Sequence, residues 1–112
     1  MVVLAGLVLA GCGGAASPDV TRVRDASSVV AGQVLYEANC ARCHGSDLDG
    51  GRVPDGPLAP PLSTKTAPDD SALIETVQRG RGLYMPTFGT QLDESEIASI
   101  IDYVRSVQAA RQ

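Results

Sequence analysis

The sequence predicts an all-α fold, and three observations predict it. Apolar residues recur at helical spacing in three stretches, around Val30–Ala38, Leu73–Val77 and Ile97–Val107. No stretch alternates apolar and polar residues over the length of a strand. The residues joining the first two helices are so rich in glycine and proline that neither a helix nor a strand of useful length survives there.

At 112 residues the chain is one domain at most. Its formal charge of −4 leaves no basic stripe to neutralise phosphates, which argues against nucleic acid as a partner. The aromatic residues are Tyr36, Tyr84, Phe88 and Tyr103, with no tryptophan, so the core is thin and something besides the chain must supply apolar volume.

The N-terminal run Val2–Ala10 is apolar but far shorter than the roughly 20 residues that span a bilayer. It suits the apolar part of a secretory signal over residues 1–11, although no Lys or Arg precedes it. It ends in "LAGC", which resembles a bacterial lipobox, and that resemblance makes Cys12 the lipid-modified first residue of an exported protein. Residues 12–27 are small, polar and charged without an apolar stripe, and read as a flexible tether from lipidated Cys12. The folded domain is then expected over 28–112.

The first helix is expected from about Val29 to Cys40, with Val30, Val34, Leu35 and Ala38 as its stripe and serines capping its start. Gly32 inside it costs about 1 kcal/mol against alanine, so another element should approach closely there. The run Gly45–Asp70 carries four glycines and five prolines. A loop of that length makes sense in a compact domain if it wraps a large apolar object. A second helix should begin at Asp69 or Asp70, bury Leu73, Ile74 and Val77, and stop at Gly80. The last helix is the clearest: Asp93 and Glu96 approximate a capping box, and Ile97, Ile100, Ile101, Val104 and Val107 form its stripe. The remaining carboxylates read as solvated surface.

"CARCH", residues 40–44, places Cys40, Cys43 and the only histidine within five positions. Cys-x-x-Cys serves as half a zinc site, as a redox dithiol, or as an attachment point for haem. Zinc needs a fourth ligand, and the only other cysteine is Cys12. A thioredoxin-type dithiol needs a βαβ setting that this chain lacks. Haem c fits: the thiols of Cys40 and Cys43 add to the two vinyl groups, and His44 reaches the iron. His44 is the only histidine, and Met85 is the only methionine left once Met1 leaves with the signal, so Met85 is the candidate sixth ligand. Lys65 could compete only as a neutral amine.

Here the chain resembles the class I c-type cytochromes, particularly the small bacterial single-haem ones. The likeness rests on "GQVLYEANCARCHG", "APPL" at 59–62, "MPTFG" at 85–89 and "LDESEIASIIDYVRS" at 92–106. It implies the cytochrome c fold, with N- and C-terminal helices crossing and haem in a crevice wrapped by the proline-rich loop. It implies that Gly32 and Tyr36 meet Ile100 and Tyr103 at the crossing. It also implies that the carbonyl of Pro60 accepts the Nδ1–H of the proximal histidine, with Pro57 and Pro61 as competitors. The expected function is single-electron transfer without catalysis, by a monomer tethered to the outer face of the cytoplasmic membrane or held in the periplasm. Its partners would be oxidases, reductases or dehydrogenases. Two alternatives stand beside the mobile carrier: a haem subunit fixed in an oxidase or dehydrogenase complex, and an open-site haem protein binding a gas or peroxide. Arg79 and Arg81, just before Met85, are expected to rim the distal side of the crevice.

Overall fold

A computed structural model describes residues 24–64 and 69–112. The signal, Cys12, most of the tether and Lys65 lie outside the described residues. Helix α1 spans Ala26–Asn39, the single turn α2 Ala41–His44, α3 Asp70–Arg79 and α4 Glu94–Ala110. Two short strands, β1 (Gly51–Arg52) and β2 (Leu58–Ala59), pair antiparallel with Gly51 opposite Ala59 and Arg52 opposite Leu58. The all-α expectation is therefore corrected in one place. A two-residue strand is too short to show alternation, so nothing in the pattern could announce it. No helix among the described residues is long and apolar enough to cross a membrane.

Helix α1 starts at Ala26 rather than Val29, because Asp25 and not a serine caps it. The Asp25 carboxylate accepts from the backbone N–H of Ser28 at 2.8 Å, which draws the end of the expected tether into the fold. The predicted stripe is corrected in part: Val30 and Val34 are 61% and 64% exposed, whereas Leu35 packs against the core as expected. The face that α1 buries is Gly32 and Tyr36, two positions or about 200° around the helix from those valines. Backbone approach at Gly32 decides this orientation, overriding the larger apolar side chains.

The other two helices match their sequence signals. The Asp69 carboxylate accepts from the Ala72 N–H at 2.8 Å, and Gly80, at φ +74°, ends α3 with its N–H donating to the Thr76 carbonyl. On α4 both halves of the capping box form: Asp93 accepts from the Glu96 N–H at 2.8 Å, and Glu96 accepts from the Asp93 N–H at 2.9 Å.

The core has two parts, and both rest on α4. Tyr36, Leu48, Ile100 and Val104 form one; Val77, Ile97 and Ile101 form the other. Tyr36 stacks obliquely on Tyr103, ring centroids 5.4 Å apart, where α1 meets α4. Part of the polar side of α4 is not solvated surface. Asp102, Arg105 and Gln108 are all buried. Asp102 accepts from the Ser28 hydroxyl at 2.5 Å and pairs with Arg24 at 3.6 Å. Arg105 donates to Asp70 at 2.9 Å and to Gln108 at 3.0 Å, and Gln108 donates to the carbonyls of Leu62 and Thr64. This chain of bonds fastens the start of α1, the end of the loop and the start of α3 to one face of α4.

Candidate functional site

The CARCH segment sits on one helical turn because α1 closes just before it. The Cys40 N–H donates to the Tyr36 carbonyl at 2.7 Å, and the His44 N–H donates back to the Cys40 carbonyl at 2.9 Å. Cys40 and Cys43, one turn apart, are free thiols and half-buried. Burial first, and then the neighbouring Cys43 thiol, push the Cys40 thiol up to about 11. Burial likewise raises the Tyr36 phenol, whose hydroxyl donates to the Gly45 carbonyl at 2.7 Å. The Cys40 side of this turn is therefore withdrawn from water, while Arg42 on the same turn is exposed.

The loop after the turn folds back so that its carbonyls are used. The Leu62 and Ser63 N–H groups donate to the Leu48 carbonyl, while the β1–β2 ladder sets the position of Pro60. The His44 Nδ1 lies 3.0 Å from the Pro60 oxygen. Because a carbonyl only accepts, Nδ1 carries a proton and Nε2 is the ring nitrogen left for another partner. Of the three candidate prolines, Pro60 is the one in hydrogen-bonding position.

Met85 comes from the segment after α3, and its backbone is fixed at both ends. Arg81 and Met85 exchange two main-chain bonds, the Arg81 N–H to the Met85 carbonyl at 3.0 Å and the Met85 N–H to the Arg81 carbonyl at 3.2 Å. Gly80 permits this fold. A Cβ there would sit 2.5 Å from the Met85 oxygen, and its φ is already in the region glycine favours. Beyond Met85, the Phe88 N–H donates to Val77 and the Thr87 hydroxyl to the Arg79 carbonyl, returning the chain to α3.

These pieces line one crevice of about 580 Å³, within the usual size of a cofactor site. Cys40, Cys43, His44, Pro60 and Met85 all face it, with Leu73, Val77, Ile100, Ile101 and Val104 among the apolar walls. The expected haem-site residues are thus brought together, and Cys12 lies outside the described residues. The donor set suits a haem: two thiols on one turn, an imidazole with a free Nε2, a thioether, and apolar faces for a flat macrocycle. Arg81 lines the crevice as well, whereas Arg79 pairs with Glu75 at the exposed end of α3. Two contributors escaped sequence reasoning. Tyr84 reaches across the mouth to the 53–57 turn, where a Cβ on Gly56 would lie 2.9 Å from its ring. Gln108 lines the crevice while holding the loop carbonyls.

Comparison with known proteins places these features in context. The family described as cytochrome c oxidase, cbb3-type, subunit III matches residues 27–104. A cbb3-type cytochrome c oxidase subunit CcoP of Azospirillum sp. (strain B510) is 36% identical over 91 residues, covering 77% of this chain and 31% of the relative. A cbb3-type cytochrome c oxidase subunit FixP of Bradyrhizobium diazoefficiens is 38% identical over 79 residues, covering 68% of this chain and 26% of the relative. The chain therefore spans about a third of the length of these curated relatives or less. Among solved structures, cytochrome cL of Methylophaga aminisulfidivorans superposes with a TM-score of 0.63 at 29% identity, covering 73% of this chain and 54% of that one. Cytochrome cL of Hyphomicrobium denitrificans shares the fold, with a TM-score of 0.59 over 70% of this chain and 46% of that one.

Proposed function

The chain belongs to the cbb3-type cytochrome c oxidase subunit III family, and from that membership we propose that it is a haem c electron-transfer module working within an oxidase complex. The observation that carries the haem reading is the convergence of Cys40, Cys43, His44 and Met85 on one apolar crevice, with the His44 Nδ1 held on the Pro60 carbonyl. The two curated relatives named above are oxidase subunits by name, and both cover more than two thirds of this chain. That favours the fixed-subunit alternative over the freely shuttling carrier expected first.

Each residue then has a physical task. Cys40 and Cys43 would hold the macrocycle as thioethers, one haem for the one CARCH motif of this chain. His44 would bind the iron through Nε2, its ring orientation fixed by Pro60. Met85 would bind through its thioether sulfur, a soft donor that favours Fe(II) and raises the potential. Bound haem supplies a one-electron Fe(III)/Fe(II) couple. The apolar walls exclude water, which limits the reorganisation that each electron must drive. No acid–base pair or nucleophile is needed.

The membrane reading is carried by sequence. Residues 1–11 would be removed on export and Cys12 lipidated, leaving the stretch expected over 12–27, up to the start of α1, as the tether on the outer face of the cytoplasmic membrane. A Cys12→Ala variant should release soluble red protein or block maturation. Unchanged membrane association with the signal cleaved would refute the anchor.

The deciding experiment is affinity purification of the tagged chain in mild detergent, followed by a reduced-minus-oxidised visible spectrum. A fixed-subunit role requires terminal-oxidase haems to co-purify at constant stoichiometry. Recovery of this chain alone, carrying its own haem, would return the assignment to a mobile carrier.

A further inference from the structure

A haem carries two propionate carboxylates, and an apolar crevice must find them partners. The polar side chains that line this crevice can be taken one at a time. The Tyr36 hydroxyl donates to the Gly45 carbonyl, and Asn39 donates to the Leu35 carbonyl. The Thr76 hydroxyl is used by the Ala72 carbonyl. Gln108 gives its amide to Leu62 and Thr64 and takes a bond from Arg105. His44 is turned to Pro60. Among the described lining residues, that leaves the guanidinium of Arg81 and the hydroxyl of Tyr84 with no bond to the protein, beside one spare N–H on the Asn39 amide.

Both belong to the loop that presents Met85. Arg81 is held by its main chain alone, through the two bonds it exchanges with Met85, so its side chain is free to serve another group. Among the described lining residues it is also, apart from His44, the only one with an ionisable basic side chain. Tyr84 is half-exposed at the mouth, its ring against Gly56 of the facing turn. We infer that Arg81, assisted by the Tyr84 hydroxyl, binds a propionate carboxylate of the haem. The guanidinium offers paired N–H donors that match a carboxylate, and a phenol adds a third donor. The loop would then be fastened to its cofactor twice, at the iron through Met85 and at the periphery through Arg81.

This inference rests on the haem reading above, and the test separates the two. Mass spectrometry of the wild type comes first: absence of the covalent haem increment would remove the functional reading itself. With haem present, Arg81→Gln keeps the main-chain bonds to Met85 and deletes only the cation. An uncompensated carboxylate near the iron favours Fe(III), so the midpoint potential should shift downward. In reduced-minus-oxidised infrared spectra of protein carrying haem labelled with 13C at the propionates, the labelled carboxylate bands should move. Arg81→Lys should recover part of both changes, and Tyr84→Phe should shift them in the same direction by less. Arg79→Gln, outside the crevice and paired with Glu75, should leave both unchanged. A haem-bearing Arg81→Gln protein with wild-type potential and wild-type carboxylate bands would overturn the inference and leave Arg81 as a surface cation.

Discussion

Gly32 of α1 lies directly on the Ser99 carbonyl of α4. A Cβ added to Gly32 would sit 1.8 Å from the Ser99 oxygen and 2.5 Å from its carbon. Both obstructing atoms are backbone, so neither can swing aside, and only a separation of the helices could make room. The crossing also sets the walls of the crevice, because Ile100, the next residue on α4, lines it.

Gly32→Ala should therefore destabilise the protein despite alanine's better helix propensity. The propensity gain is about 1 kcal/mol, while overpacking against an immovable neighbour costs about 3 kcal/mol or more. Urea unfolding of the haem-loaded variant should show a lower midpoint with an unchanged slope. Wild-type stability would mean that α1 and α4 do not meet at this point.

Met85→Ala should leave the haem attached but open the iron. The variant should bind CO and cyanide, lose the weak near-infrared-edge charge-transfer band of sulfur-to-iron bonding, and titrate at a lower potential. Retention of a low-spin spectrum at unchanged potential would assign the sixth position to another group such as Lys65. If wild-type ferrous protein already binds CO rapidly at neutral pH, the gas- or peroxide-binding alternative gains instead.

Replacing Cys40 and Cys43 together by serine should yield a chain from which acid–acetone extracts all haem, whereas the wild type retains its own. The loop from Gly45 to Thr64 has few apolar side chains to order it without the macrocycle. The double variant should keep much of its far-ultraviolet helix signal and lose near-ultraviolet tyrosine structure. Full retention of tertiary signal would show that the loop orders itself.

Asp70 should make stability depend on acid. Burial pushes its carboxyl upward, but hydrogen bonds from Arg105 and then Arg24 outweigh that and hold it below its ordinary value of 3.8. A carboxyl depressed in the folded state stabilises fully above its unfolded value, and that contribution fades as pH falls through the folded one. Asp70→Asn should destabilise by about 1–2 kcal/mol near pH 7, partly because buried Arg105 loses the Asp70 carboxylate. The gap between variant and wild type should narrow below about pH 4 and close in stronger acid. A gap that stays constant from pH 7 to pH 2 would deny the ion pair its role.

The signals that proved legible were local. Asp69, Asp93 and Glu96 cap their helices as their types and spacing require, and the turn Ala41–His44 follows directly on the end of α1 with Cys40 between them. Gly32 announced a close approach by being costly, although only the fold shows its partner to be Ser99. What stayed hidden was long-range and polar. Arg105, Asp102 and Gln108 look like an exposed helix face, because their partners Asp70, Ser28, Leu62 and Thr64 lie far away in sequence. Val30 and Val34 misled for the opposite reason: apolar periodicity marks a face that could be buried, but backbone proximity at Gly32 had already chosen another. Arg81 is legible at the rim of the crevice from its place just before Met85, whereas Tyr84 carries no motif of its own and becomes visible only in the fold.

The crossing at Gly32 and Ser99 ties the first helix of the domain to the last, and it has a consequence in time. A chain threaded outward N-terminus first presents α1 and the CARCH turn long before α4 emerges. Until then neither Ile100, Ile101 nor Val104 is there to wall the crevice, and Gln108 is not there to hold Leu62 and Thr64. On the proposed export the thiols of Cys40 and Cys43 would stay reachable throughout this interval. Haem loading would then have a window that translocation itself opens and that the arrival of the final helix shuts.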